Sequence, residues 1–100
     1  MLHTVNKSPF EKNSLQTCMR LSKSGSSILM LEDGVYGALC GTEIASSVTE
    51  CAKDRNIYVL GPDLKARGID QSNLIEGITV VDYDGFVKLA AESSKVQSWM

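Results

Sequence analysis

The sequence lacks most of the residues that metal and nucleotide chemistry require. It holds one histidine, His3, and three cysteines, Cys18, Cys40 and Cys51, with no CxxC pair among them. A Cys/His zinc cage needs several such ligands at short spacings, so no metal site is expected. An odd number of unpaired cysteines suits a reducing compartment, where they remain free thiols. No GxGxxG or Walker sequence follows an apolar run, so no nucleotide cofactor is expected. Basic residues are not in excess either: ten Lys and Arg stand against twelve Asp and Glu, a net charge of −2. Phosphate neutralisation needs a basic stripe, so direct nucleic-acid binding is not expected. No apolar run exceeds the length of Ile28-Leu29-Met30-Leu31, far below the roughly 20 residues of a membrane span. The opening MLHTVNKSPFEKN has neither the basic start nor the apolar stretch of a signal peptide, which makes the cytoplasm the expected location.

What is present is a globular composition, 43% hydrophobic and 22% charged over 100 residues. That length suits one domain, residues 1–100, with one core. Leu2 to Val5 is β-prone. Ser8-Pro9-Phe10-Glu11 and Asn13-Ser14-Leu15-Gln16 both have the form of a capping box, and a helix from about Asn13 satisfies the pair. In it Leu15, Cys18, Met19 and Ser22 fall at i, i+3, i+4 and i+7. Ser27 to Glu32 is an apolar run without alternation, the pattern of a strand covered on both faces. Val35 to Leu39 fits a turn or two of helix. Thr42 then serves as N-cap for a helix on which Ile44, Val48, Cys51 and Ala52 share one side. Ile57 to Leu60 is a third strand, Gly61-Pro62-Asp63 a turn, and Leu64 to Arg67 one helical turn ended by Gly68. Ile78 to Val81 is a fourth strand. Asp82 caps a last helix with Phe86, Leu89 and Ala90 inward, and Val96 and Trp99 follow it without an assigned element.

This alternation predicts an α/β fold: a small single-domain sandwich with a mainly parallel sheet of about four strands and helices on both faces. Sites in such folds form beyond the C-terminal ends of the strands. Those ends carry Asn6-Lys7-Ser8, Glu32-Asp33-Gly34, Gly61-Pro62-Asp63 and Asp82-Tyr83-Asp84. Glu32 and Asp33 are candidates for acid–base work, against a plain turn role for Asp33. Asp63 and Arg67, at i and i+4, pair across the short helix, with anion binding by Arg67 as the alternative. His3 reads as a hydrogen-bonded core or interface residue rather than a base. Cys51 reads as core, and Cys40 as core or interface. Cys18 shares a stripe with Leu15 and Met19 and lies beyond the first helical turn, so its spacing favours core over a stabilised thiolate.

The segments MLHTVNKSPFEKNSL, LEDGVYGAL, YVLGPDLKARGI and VVDYDGFVKL, in that order, resemble the DsrH/TusB family of sulfur-relay proteins, within the DsrE/DsrF/DsrH-like superfamily. The most specific parts are D-L-x-A-R-G (Asp63 to Gly68) and D-Y-x-x-F-V (Asp82 to Val87). The resemblance implies a small parallel-sheet α/β fold and a subunit of a cytoplasmic persulfide relay. It also implies DsrE-like or TusD-like and DsrF-like or TusC-like partner subunits in a heterohexamer, and a DsrC-like or TusE-like acceptor protein. The main carrier cysteine is then expected on a partner subunit. Cys18 matches a cysteine of the DsrH branch that TusB proteins typically lack. On that basis the sequence is closer to DsrH than to TusB, and Cys18 is a candidate persulfide carrier. Sulfur oxidation is the leading expectation. A TusB-like subunit for wobble-uridine 2-thiolation of tRNA and a non-catalytic subunit completing the hexamer are the alternatives.

Overall fold

The computed structural model describes the whole sequence, Met1–Met100. Five strands form one sheet: β1 (Leu2–Val5), β2 (Ser27–Met30), β3 (Asn56–Leu60), β4 (Thr79–Val81) and β5 (Val96–Trp99). Every pairing is parallel and the order is β4-β3-β2-β1-β5. Four α-helices connect them: α1 (Ser14–Leu21), α2 (Ala45–Cys51), α3 (Gly61–Ala66) and α4 (Tyr83–Glu92), with 3-10 segments at Glu32–Ala38 and Gln71–Asn73.

The order explains the layers. Three successive crossovers move the chain in one direction, and a right-handed hand puts their helices on one face. The fourth crossover returns from β4 to β5 across the opposite face, carried by α4. Alternation along the strands sorts the side chains to match. Val5, Ile28, Met30, Ile57 and Val59 join Leu15, Val35, Val48 and Leu64 in a cluster of 14 buried residues. Leu2, Leu29 and Leu60 point the other way and are also buried. There Gly85 of α4 packs against Val81, while Phe86, Leu89 and Ala90 are only half-buried. The second layer is the thinner one.

The structure differs from the sequence expectation at five places. A fifth strand exists where none was assigned. Gln97 and Ser98 are exposed and Val96 is half-exposed, so β5 has no apolar run to mark it. It is an edge strand held by its ladder to β1, by a 3.0 Å bond between the Thr4 and Ser98 hydroxyls, and by Trp99. Next, α2 starts at Ala45 rather than after Thr42, whose hydroxyl turns back to the Leu39 carbonyl. Gly61 and Pro62 open α3 instead of forming a turn; a proline in the first turn loses no helical hydrogen bond. Residues 32–38 form one continuous 3-10 segment that begins directly after the bend ending β2. Finally, Asn13 makes no side-chain cap to α1.

Two caps behave as the sequence implies. Asp82 Oδ1 accepts from the Gly85 amide at 2.8 Å. Gly68, at φ +66°, ends the α3 region, and the Ile69 amide returns to the Leu64 carbonyl.

Candidate functional site

Two regions hold the chemistry-bearing residues. The first is the crevice beyond the strand ends. Just beyond β2 the 3-10 segment opens on Glu32, the only non-glycine residue with positive φ, at +50°. That conformation costs an L-residue roughly 1–2 kcal/mol, so something must hold it. Asp63 does so: its Oδ2 accepts from the Glu32 amide at 2.6 Å. Next to it, Asp33 Oδ1 accepts from Arg67 Nε at 3.0 Å and Nη2 at 2.9 Å. Arg67 reaches Asp63 only through the backbone carbonyl, at 3.3 Å. The expected Asp63–Arg67 ion pair is therefore absent; Arg67 pairs with Asp33, and the Asp63 carboxylate is used on the strained turn. The hydrogen bond to Asp33 raises the pKa of Arg67 above its ordinary value. The two contacts latch residues 32–38 to α3. This network satisfies itself, and its carboxylates serve backbone and cation rather than a reacting group.

Gly34 lies in the same crevice. A Cβ there would fall within the van der Waals envelope of the Val5 carbonyl oxygen, so only glycine lets the segment cross the end of β1.

His3 is 5% exposed, and its Nδ1 accepts from the Trp99 indole at 3.0 Å. This is the hydrogen-bonded interior role expected of it. Burial lowers its pKa, with the N-terminal ammonium and Arg55 adding to the effect.

The second region lies between α1 and α2, over a cleft of about 730 Å³ lined by Met19 and Arg20 on one side and Glu50, Cys51 and Arg55 on the other. Cys18 and Cys51 belong to the same buried cluster. Cys18 has no exposed surface, and burial pushes its thiol up to about 12, with Cys51 reinforcing the shift. Cys51 is 6% exposed and reaches the cleft wall. Burial raises its thiol too, while Arg55, which donates to Sγ from Nη1 at 3.6 Å, pulls in the opposite direction. Arg55 also donates to the Ser22 carbonyl at 2.7 Å and to Asp54 at 2.9 Å. Cys40 is exposed at the start of the loop after the 3-10 segment, so of its two expected roles, core or interface, the core one is not found.

The sequence reading missed Arg55. Its signal was present: Arg55 follows Cys51 by four residues, the spacing that sets side chains on one helical face. No three of the His, Cys, Asp and Glu side chains converge as a metal site. No helix is long and apolar enough to cross a membrane.

The model of the DsrH-like protein family matches residues 7–96. The chain belongs to that family. This DsrH-like chain is 34% identical over 99 residues to Protein TusB of Pectobacterium parmentieri, covering 99% of itself and 100% of that relative. Protein TusB of Erwinia tasmaniensis and Protein TusB of Shigella flexneri match with the same coverage, at 36% and 32% identity. Among solved structures, the ychN protein from E. coli superposes with a TM-score of 0.82 at 19% identity, covering 97% of each chain. The protein MTH1491 from Methanobacterium thermoautotrophicum does so at 0.75 and 17% identity, covering 97% of this chain and 96% of its own. At such identities the structures speak for the fold alone. The sequence placed the chain nearer DsrH on the strength of Cys18, whereas these curated relatives carry the name TusB.

Proposed function

We propose that this chain is a TusB-like subunit of a cytoplasmic persulfide relay that supplies sulfur for 2-thiolation of the tRNA wobble uridine. The observation that carries the reading is the end-to-end match to proteins named TusB. It favours the tRNA-thiolation alternative over the sulfur-oxidation expectation, which rested mainly on Cys18. The burial of Cys18 fits this choice, because a thiol with no exposed surface has no path to a donor without movement of α1.

The partners in this reading are TusD-like and TusC-like subunits in a heterohexamer, with a TusE-like acceptor. The edge strand β5 and the outer side of α4, where Tyr83 and Val87 are exposed, supply surface for subunit contacts. The test is complementation. A bacterial strain lacking its TusB regains 2-thiouridine in tRNA, read by liquid chromatography and mass spectrometry, when this chain is expressed with its own partner subunits. Partners co-purify with a tagged copy. Loss of both results sinks the reading, and restored sulfur oxidation in a DsrH-deficient host with no tRNA thiolation replaces it with the other branch.

A further inference from the structure

In the crevice the Asp33, Asp63 and Arg67 contacts are matched among themselves, although Asn6 Oδ1 at the end of β1 is buried without a partner, and the His3–Trp99 pair is a contact within the fold. The α1–α2 cleft is different, because there a thiol stands in contact with an incompletely matched cation. Cys51 Sγ faces Arg55 at 3.6 Å, on the wall of the cleft. Arg55 Nε is buried without a hydrogen-bond partner, as is Ser22 Oγ on the residue whose carbonyl the same guanidinium binds. Ser22 is 6% exposed. An unpartnered N–H on the guanidinium that touches the thiol is uncommon in a folded structure and points to an additional acceptor atom beside Arg55. An acceptor that a thiol can carry and a guanidinium can hold is a further sulfur bearing negative charge. A persulfide supplies it, being a stronger acid than the thiol from which it forms.

We propose that Cys51, rather than Cys18, is the thiol on this chain that takes up sulfane sulfur, with Arg55 as the positioning residue that holds the charge on the terminal sulfur. This rests on the relay reading and names the site at which the chain would take part. In the step, the Cys51 proton leaves and Sγ attacks the outer sulfur of a donor persulfide. A new S–S bond forms to Cys51, the donor's S–S bond breaks, and the donor leaves as a thiolate that takes up a proton. Two thiol-level sulfurs and one sulfane sulfur enter and leave, so no oxidant or reductant is needed. Cys18 packs beneath as a buried neighbour. Asp54 shares a nitrogen of Arg55 and moderates its charge.

The experiment uses the purified full chain in a Cys40→Ser background, which removes the exposed thiol. It is treated with glutathione persulfide, alkylated, digested and mapped by mass spectrometry. One added sulfur is expected on Cys51 and none on Cys18. Arg55→Gln is expected to slow labelling about tenfold, the equivalent of one pH unit in thiolate population. Arg55→Lys recovers part of that rate, and Asp54→Asn raises it. Thermal unfolding of each variant confirms that the fold is retained at the assay temperature. Sulfur on Cys18 but not Cys51, or a Cys51 rate indifferent to Arg55→Gln, overturns the assignment. A chain that restores tRNA thiolation with no sulfur on Cys51 overturns it while leaving the relay reading intact. A chain labelled on Cys51 that restores no thiolation upholds the assignment and fails the relay reading.

Discussion

The Trp99 indole donates to Nδ1 of His3 across 3.0 Å, joining residues 96 positions apart. The bond ties β5 to the interior through the one side chain of that strand packed against the main core. Trp99→Phe keeps an aromatic side chain, smaller by the fused ring, and removes the donor, leaving a buried acceptor unpaired. A loss of about 1–3 kcal/mol in urea unfolding is expected. A variant as stable as the wild type would show that the ring packing, not the bond, holds the strand.

The same pair sets a pH dependence. The folded pKa of His3 lies below 6.5, because of burial first, then the N-terminal ammonium and Arg55. The unfolded chain therefore binds the proton more readily than the folded one. The contribution of His3 to stability is complete above pH 6.5 and is lost as the pH falls below that value through the folded pKa. Urea midpoints of the wild type should drop over this window more than those of His3→Gln. Parallel profiles for the two proteins would count against the assignment.

The thiols predict an effect at the other end of the scale. Cys18 is raised from 9.0 to about 12, so the unfolded chain releases its proton first as the pH rises. Stability due to this group is complete below about pH 9 and declines toward pH 12, with a slope of up to about 1.4 kcal/mol per pH unit. Cys18→Ala should flatten the alkaline limb of the stability profile. In the native protein a thiol reagent should modify Cys40 at once and Cys18 only on unfolding, as followed by peptide mapping.

Asp63→Ala should cost about 1–2 kcal/mol, since it frees the Glu32 amide and releases the strained turn. Arg67→Ala should cost less, about 0.2–1 kcal/mol, because its partner Asp33 is half-exposed. Chemical denaturation of both variants checks the order, and the reverse ranking would make the ion pair the principal latch.

Gly34→Ala should lower stability by about 1–3 kcal/mol, or more if the backbone cannot yield. The added methyl meets the Val5 carbonyl, whose oxygen already accepts from the Leu31 amide at 3.0 Å. Thermal unfolding measures it, and an unchanged melting temperature would mean that β1 and the 3-10 segment separate at little cost.

The parallel α/β plan was legible because its central strands are apolar on both faces: Ile28, Leu29 and Met30 in sequence can only be a buried strand or a short buried helix, and the turn signals around them favour the strand. β5 was not legible, because an exposed edge strand needs no apolar pattern and its evidence lies in β1, at the far end of the sequence. The capping signal at Asn13 misled about contacts but not about the helix, since packing of Leu15 and Cys18 settles that element without a cap. At the crevice, spacing correctly put Arg67 near Asp63, yet the choice of carboxylate was made by Asp33 from another element. In the α1–α2 cleft, periodicity identified Cys51 as inward-facing. It did not reveal that Arg55 and the Ser22 carbonyl meet there, a contact between segments 33 residues apart.

The position of β5 beside β1 bears on how the protein is made. β1 leaves the ribosome before the other four strands, and the strand that covers its outer edge is the last of the five. Until Val96–Trp99 emerge, β1 has β2 on one flank and nothing on the other. A nascent sheet in that condition offers its backbone to any extended chain nearby. The order of synthesis therefore places the longest risk of mispairing on the strand that ends up at the interior of the sheet, and closure waits on the slowest, most distant contact in the sequence.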